Sequence, residues 1–207
     1  MTPATLKLYH SPVSPNSRRV RIFLAEKGLK VPLVSIDLGK GEQRSEAYRV
    51  INPRLVVPTL VLDDGTAISE TVAICRYFEE TQADPPLFGT GAVGKALVDM
   101  WIRRIEFQVM QPVGNFWRHA HPRTAALLTQ YKDFGEANRA TYAGGLKWLD
   151  RDLADRPFIA GDSYSMADIC ALSTVDFATW IGLEIPDELA NVKAWHARVS
   201  ARPSAAA

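Results

Sequence analysis

The chain has 207 residues, 47% of them hydrophobic and 23% charged, with a formal net charge of +1. Those proportions suit a soluble globular protein of one large domain or two modest ones, and the near-neutral balance excludes a charge-driven hold on nucleic acid or an acidic membrane. No apolar run reaches the roughly 18 residues of a membrane span, no basic-then-apolar leader opens the chain, and Cys75 and Cys170 stand far apart, which fits a reducing, cytoplasmic setting.

Residues 6–9 read as a short apolar strand, 10–17 as a polar loop dense in Pro and Ser, and the following stretch as a helix. Val20, Phe23 and Leu24 give that helix one apolar face, and Gly28 is a natural left-handed stop. A strand, a hydroxyl-rich loop and a helix N-terminus in that order make a site for an anion, because free N–H groups and the helix dipole point into the loop. Residues 33–36 form a second strand, and strand, helix and strand within about 30 residues predict a parallel βαβ unit. A polar loop over 37–46 leads into a short helix ending near Asn52-Pro53. Pro58 forbids a central ladder position, so the next strand begins at Thr59; Asp63-Asp64-Gly65 turns it, and 66–68 returns antiparallel. Ser69-Glu70-Thr71 opens another helix, with Ile74, Tyr77 and Phe78 on one face.

Composition then shifts, and Asp84-Pro85-Pro86 with scattered glycines marks residues 81–94 as a linker between a first domain, 1–80, and a second, 95–207. Beyond it the pattern is helical. Val98, Trp101, Ile102, Ile105 and Val109 mark one long helix, and Tyr142, Leu146, Leu149 and Leu153 mark another over about 124–153. Ser165 and Asp168 form a capping box, with Tyr164 and Ile169 placed for a hydrophobic staple; the helix they start is apolar almost all round, hence central. A last helix covers 189–200.

This order of elements, with its motifs, resembles a cytosolic glutathione S-transferase over nearly the whole chain. LYHSPVSPNSRRVRIFLAEKG is similar to the family's first strand, catalytic loop and first helix, and INPRLVVPTLVLDDG to its INP-x-x-x-VP-x-L segment, whose proline is cis. ISETVAICRYF resembles the ES-x-AI-x-x-YL segment, FIAGDSYSMADI the FLxGxxxxxADI stretch, and WHARVSARPS the C-terminal helix. The resemblance implies a thioredoxin-like α/β N-terminal domain that binds glutathione and an all-α helical-bundle domain that receives a small hydrophobic electrophile and supports a homodimer. Glutathione is then the co-substrate, with no metal, nucleic acid or membrane involved.

Glutathione's thiol, with a free pKa near 8.5, must be made thiolate. Bringing that pKa to about 6.5 takes roughly 2.7 kcal/mol, which one charge-assisted hydrogen bond of about 1.5–3 kcal/mol and a helix N-terminus of about 0.3–1 kcal/mol supply. A single hydroxyl therefore suffices, without a general base. Alignment on zeta-like sequences puts Ser14 on their catalytic serine, and the TPN loop of nu-class relatives puts Ser14 and Asn16 on their functional Thr and Asn. Against this, Ser14 and Ser17 are ordinary helix caps. Tyr9, at the end of the first strand, is the main rival, though it reads equally as sheet packing, and Ser11 is third.

By the same resemblance, Val57 before cis Pro58 offers its backbone to the cysteinyl part as an added strand does. Thr71 and its helix N-terminus take the γ-glutamyl carboxylate, and Glu70 faces the ammonium. Gln43 and Arg44 reach for the glycyl carboxylate, and Asp99 for the partner subunit's glutathione. Val56 stands where many relatives carry a lysine contact, which leaves Arg54 to compensate. Met110, Val113, Phe116 and Trp117, with Arg118 and His119, are the candidate electrophile lining, although aromatic residues at helical spacing are commonly plain core. The Arg18-Arg19-Arg21 cluster reads as a solvated or interface face. The alternatives are a glutathione-dependent disulfide or peroxide reductase, which the SPN loop favours, and a non-catalytic binding protein on the same fold. Ring isomerisation of the zeta type is disfavoured because its loop cysteine is missing.

Overall fold

The computed structural model describes residues 6–207. Strand β1 (Lys7–His10) pairs parallel with β2 (Leu33–Ser35) and antiparallel with β3 (Thr59–Val61), which pairs antiparallel with β4 (Ala67–Ser69). The sheet order is β2-β1-β3-β4, with Leu8 opposite both Leu33 and Leu60. Helix α1 (Pro15–Glu26) makes the crossover between β1 and β2, α2 (Glu46–Ile51) precedes β3, and α3 (Thr71–Thr81) follows β4. This is the thioredoxin-like α/β arrangement, and it closes as one compact unit through Pro86 together with the last two residues.

Side-chain alternation along β1 sorts its environment. Leu8 and His10 are buried, whereas Tyr9 packs from the other side of the strand into a cluster with Tyr48, Ile36 and Val57. Helix α1 stops where Gly28 takes φ 65°, a left-handed value that glycine adopts freely. It starts at Pro15, three residues earlier than a loop over 10–17 allows. Pro is pre-set for the first helical position, and Ser14 caps it.

The segment read as a linker over 81–94 has structure of its own. Helix α3 runs to Thr81, and α4 (Gly91–Ile105) has begun by Gly91. Lys27 reaches in from the end of α1 and donates Nζ protons to the carbonyls of Gln82 (2.8 Å), Ala83 (3.0 Å) and Pro85 (2.6 Å). Its three protons thus go to carbonyls, and Glu79 at 2.6 Å supplies the counter-charge. Leu87 and Phe88 are buried.

The second compact unit, Leu87–Ala205, is all helical apart from one isolated bridge, Phe158 to Gly161. Helix α4 passes through a π-turn (Glu106–Met110) into α5 (Gln111–His119), and α6 (Lys132–Asp152), α7 (Met166–Trp180) and α8 (Ala190–Ser200) complete it. The π-turn has a local cause. Pro112 has no N–H for the Gln108 carbonyl, and its ring crowds that carbonyl, so the ladder widens and Gln111 N donates to Glu106 O. Helix α6 meets this turn at Gly145, where a Cβ would lie within 3 Å of the Gln108 carbonyl oxygen.

Helix α6 starts at Lys132, eight residues later than the expected 124. Thr124 instead donates its hydroxyl toward the carbonyls of Trp117 (2.7 Å) and His121 (2.9 Å), and Gln130 Nε2 reaches the His121 carbonyl (2.9 Å). These side-chain bonds tie the loop over 120–131 to the end of α5 and compete with helix. The capping box at α7 forms as expected. Its carboxylate, on buried Asp168, also accepts from Ile159 N and from Trp195 Nε1, both at 2.9 Å, and so ties α7 to α8 and to the preceding loop. Both cysteines are buried and neither is in a disulfide. Among the described residues no helix is long and apolar enough to cross a membrane.

Two neighbouring glycines of α6 make the close approach at the π-turn testable. Gly145→Ala forces its Cβ into a backbone carbonyl and is expected to cost about 1–3 kcal/mol. Gly144→Ala meets nothing within 4 Å and should stabilise by about 0.5–1 kcal/mol. Urea denaturation of the two variants measures both, and similar effects of the same sign would contradict the packing described.

Candidate active site

The first unit gathers its chemistry at three places: the loop between β1 and α1, the segment entering β3, and the start of α3. In the loop, Ser14 is the N-cap of α1 and its Oγ accepts from Ser17 N at 3.4 Å. A capping hydroxyl uses a lone pair and keeps its proton to give away. Ser17 Oγ in turn accepts from Ser11 N at 3.1 Å, and Ser11, only 1% exposed, is sealed inside the loop. Asn16 is exposed on the first turn. The Tyr9 ring stands edge-on to Tyr48 with centroids 6.0 Å apart.

The arginines of α1 correct the expectation of a solvated face. Arg19 is 2% exposed and donates from Nη1 to Thr71 Oγ1 at 2.9 Å. Arg21 turns back onto the loop: Nη1 donates to His10 Nδ1 (3.2 Å) and the Ser11 carbonyl (3.3 Å), and Nη2 to the Pro12 carbonyl (3.2 Å). A guanidinium only donates, so His10 Nδ1 accepts and the ring's proton sits on Nε2. Burial, then the Arg21 charge, hold the His10 pKa below its ordinary 6.5. The signal for Arg19 is in the sequence, since it lies four residues before Phe23, inside the apolar stripe rather than opposite it.

Ahead of β3, the Val57-Pro58 peptide is cis, in line with the resemblance. A buried polar knot holds this segment by the Val56 carbonyl, which accepts from Tyr48 Oη (2.7 Å) and Asn52 Nδ2 (3.0 Å). Thr59 Oγ1 lies 2.8 Å from Asn52 Nδ2 and 3.0 Å from Tyr48 Oη. Tyr48 and Thr59 carry no signal of this role in the sequence, because a tyrosine on a short helix and a threonine in a strand are both unremarkable. Leu55 adopts φ 59°, a left-handed value that costs a non-glycine residue about 1–3 kcal/mol. Val56 and Arg54 are exposed.

At the start of α3, Glu70 has φ 71°, the same kind of departure, and is exposed. No side-chain hydrogen bond caps this helix, which leaves its first N–H groups for another acceptor. Thr71, the first helical residue, is buried and held from behind by Arg19. Gln43, in a tight turn (Glu42–Arg44), is half-buried with an enclosed amide oxygen, and Arg44 is exposed. Thus Ser14, Glu70 and Thr71 lie on elements tied together through α1, and Val57 lies in the same unit.

The expected electrophile lining lies in the second unit. Val113 and Phe116, 2% and 4% exposed, are spent in the packing of the helical core, with the Arg139 guanidinium 4.6 Å over the Phe116 ring. Met110, at the end of the π-turn, and Trp117 are half-buried, Arg118 is exposed, and His119 packs on Tyr131 and Phe134. Asp99 is half-buried on α4. Among the described residues no group of three or more His, Cys, Asp or Glu is placed to hold a metal ion.

Comparison with known proteins bears on both units. Residues 8–86 match the family "Glutathione S-transferase, N-terminal domain", and residues 116–203 match "Glutathione S-transferase, C-terminal domain". The chain is 37% identical over 201 residues to glutathione S-transferase 2 of Saccharomyces cerevisiae, covering 95% of this chain and 86% of the relative. Its structure is similar to that of a glutathione S-transferase domain-containing protein from Marinobacter aquaeolei VT8, with TM-score 0.90, 37% identity, and coverage of 96% and 98% of the two chains. It is also similar to Gtt2 from Saccharomyces cerevisiae, with TM-score 0.89, 36% identity, and coverage of 96% and 97%.

The loop clamp implies a pH dependence of stability. With the His10 pKa lowered on folding, the unfolded chain takes up the proton first, so the stabilisation from a neutral His10 is complete above the unfolded value of about 6.5 and lost as pH falls through it. His10→Asn keeps an acceptor for Arg21 but cannot titrate. Urea midpoints from pH 7.5 to 5.5 should fall more steeply for the wild type than for His10→Asn, and parallel profiles would exclude the clamp as the source.

Proposed function

The chain belongs to the glutathione S-transferase family, and on that premise we propose that it joins the sulfur of glutathione to an electrophilic carbon of a small hydrophobic compound. It does so as a cytoplasmic homodimer serving detoxification. The observation that carries this reading is the division of labour between two helix starts in one unit: α1 is capped by a serine whose proton is free, and α3 is left uncapped. The first suits a thiolate, the second a carboxylate.

Glutathione lies with its cysteinyl backbone along Val57, adding a short strand, as peptides do on exposed sheet segments. The γ-glutamyl carboxylate sits on the N–H groups of α3 and the Thr71 hydroxyl, with Glu70 opposite the ammonium. Gln43 and Arg44 serve the glycyl end. This places the sulfur over the β1–α1 loop, where Ser14 donates its hydroxyl proton while keeping its bond to Ser17 N, so capping and catalysis are compatible. Asn16, on the same turn, orients the approach. The thiol proton leaves to solvent. The thiolate then attacks carbon, and the new carbon–sulfur bond forms as a leaving group departs with its electron pair. Of the second unit's side chains, Met110, Trp117 and Arg118 retain surface for the electrophile.

The test is a pH titration of thiolate absorbance in the glutathione complex, with turnover of an aryl halide measured alongside. Ser14→Ala should raise the bound thiol's pKa by about one to two units and lower kcat about tenfold or more. Tyr9→Phe should change both by less than about twofold, which is less than about 0.4 kcal/mol. The reverse pattern would move the role to Tyr9. Turnover of hydroxyethyl disulfide without turnover of aryl halides would replace conjugation by disulfide reduction.

A further inference from the structure

The turn that delivers Ser14 to the head of α1 is closed by a carbonyl that serves two donors. Ser11, Pro12, Val13 and Ser14 form a β-turn in which Ser14 N donates to the Ser11 carbonyl at 3.2 Å. Pro12 occupies its second position, which the fixed φ of proline suits. Arg21 Nη1 donates to the same Ser11 carbonyl at 3.3 Å, and Nη2 to the Pro12 carbonyl at 3.2 Å. A carbonyl oxygen has two lone pairs, so Ser11 holds both bonds at once. Ser11 N is spent on Ser17 Oγ at 3.1 Å, and Ser17 N on Ser14 Oγ at 3.4 Å. The three serines thus close into one hydrogen-bonded ring, and Arg21 grips it from the helix side.

We infer that Arg21 is a positioning residue for thiol ionisation: by bridging the Ser11 and Pro12 carbonyls it fixes the turn, and through the shared carbonyl it fixes the direction in which the Ser14 hydroxyl donates. The inference rests on the reading of Ser14 as the donor to the glutathione sulfur. Arg21 lies seven residues beyond Ser14, about 10 Å along the helix and on the same face. It reaches back because helical side chains lean toward the N-terminus. Among the described residues none of its bonds goes to a carboxylate; they go to His10 and to the two turn carbonyls. Capping α1 needs only Ser14 Oγ and Ser17 N, so the fork on the turn serves something else. A hydroxyl proton swings about its Cβ–Oγ bond, and a hydrogen bond weakens steeply once its angle falls below about 120°. Holding the backbone beneath Ser14 and engaging one of its lone pairs removes that freedom before the sulfur arrives.

The experiment is a double-mutant cycle on the wild type, Arg21→Gln, Ser14→Ala and the double variant. Thiolate absorbance of the glutathione complex is titrated against pH, and aryl halide turnover is followed over the same range. Arg21→Gln should raise the bound thiol's pKa by about 0.5 to 1 unit, a roughly three- to tenfold loss of thiolate below that pKa. In the Ser14→Ala background the same substitution should add less than about 0.3 unit, a factor of two, because the group it positions is gone. KM for glutathione should stay within about twofold while kcat falls, and the kcat deficit should shrink as pH rises past the raised pKa. A loss of folded protein alone would lower kcat equally at every pH. Arg21→Lys keeps the charge but cannot bridge two carbonyls, and it should raise the pKa as Arg21→Gln does.

An unchanged thiol pKa in Arg21→Gln would overturn the inference and leave the role of Ser14 standing. Equal shifts with and without Ser14 would overturn it too, since the charge would then act on the sulfur without the serine. A wild type whose bound thiol titrates like free glutathione, or a Ser14→Ala variant that matches the wild type, would remove the underlying reading instead. Should Arg21→Gln fail to fold, Arg21→Lys decides alone: a raised pKa upholds the bridge, and the wild-type value refutes it.

Discussion

Three cations projecting from α1 hold the working parts of the first unit in register. Arg19 fixes the first residue of α3, Arg21 gathers the loop carbonyls of Ser11 and Pro12, and Lys27 takes three carbonyls of the segment after α3. Each replaces water on backbone oxygens or a hydroxyl with a charged donor, the stronger class of hydrogen bond. The desolvation of such charges is costly, and it is offset only where every proton finds an acceptor. One crossover helix thus sets the loop, the uncapped helix end and the chain's exit from the unit together. A shift in α1 would move all three.

The segment before β3 is fixed by a different device. Tyr48, Asn52 and Thr59 enclose the Val56 carbonyl in a buried polar knot, and such networks specify one arrangement when fully satisfied. That arrangement includes the positive φ of Leu55, and Glu70 also has a positive φ at the start of α3. Each departure costs about 1–3 kcal/mol and persists because its surroundings over-determine it. On the proposed reading, this holds the Val57 backbone in place before glutathione arrives, which reduces the ordering cost of binding.

Much of this was legible in the residues, and what was not has physical reasons. Pro58 announced the start of β3 because proline cannot donate to a ladder, and Gly28 announced the end of α1. Ser165 and Asp168 announced α7, since a capping box is a local signal. The start of α6 was hidden, because Thr124 and Gln130 spend their side chains on loop carbonyls that no periodicity reveals. Ser14 and Glu70 stand at the N-caps of α1 and α3 and Thr71 opens α3, positions that helix-start signals make legible. Arg19 was misread by residue type: three arginines in four positions suggest solvent, yet position on the helix decides burial, and Arg19 falls on the stripe of Phe23. Val113 and Phe116, apolar residues at helical spacing, are buried in the second unit.

The π-turn before α5 has a consequence for how this chain tolerates change. A π-turn holds one residue more than an α-helical ladder would, and each residue of a helix advances the facing direction by about 100°. Shortening the stretch from Glu106 to Met110 by one position would leave a regular helix with no broken hydrogen bonds except at Pro112. It would also rotate the nine residues of α5 by that angle, swinging Val113 and Phe116 out to water and Arg118 inward. The apparent irregularity is what keeps two helices in phase across a proline, so single-residue deletions here are far more disruptive than substitutions.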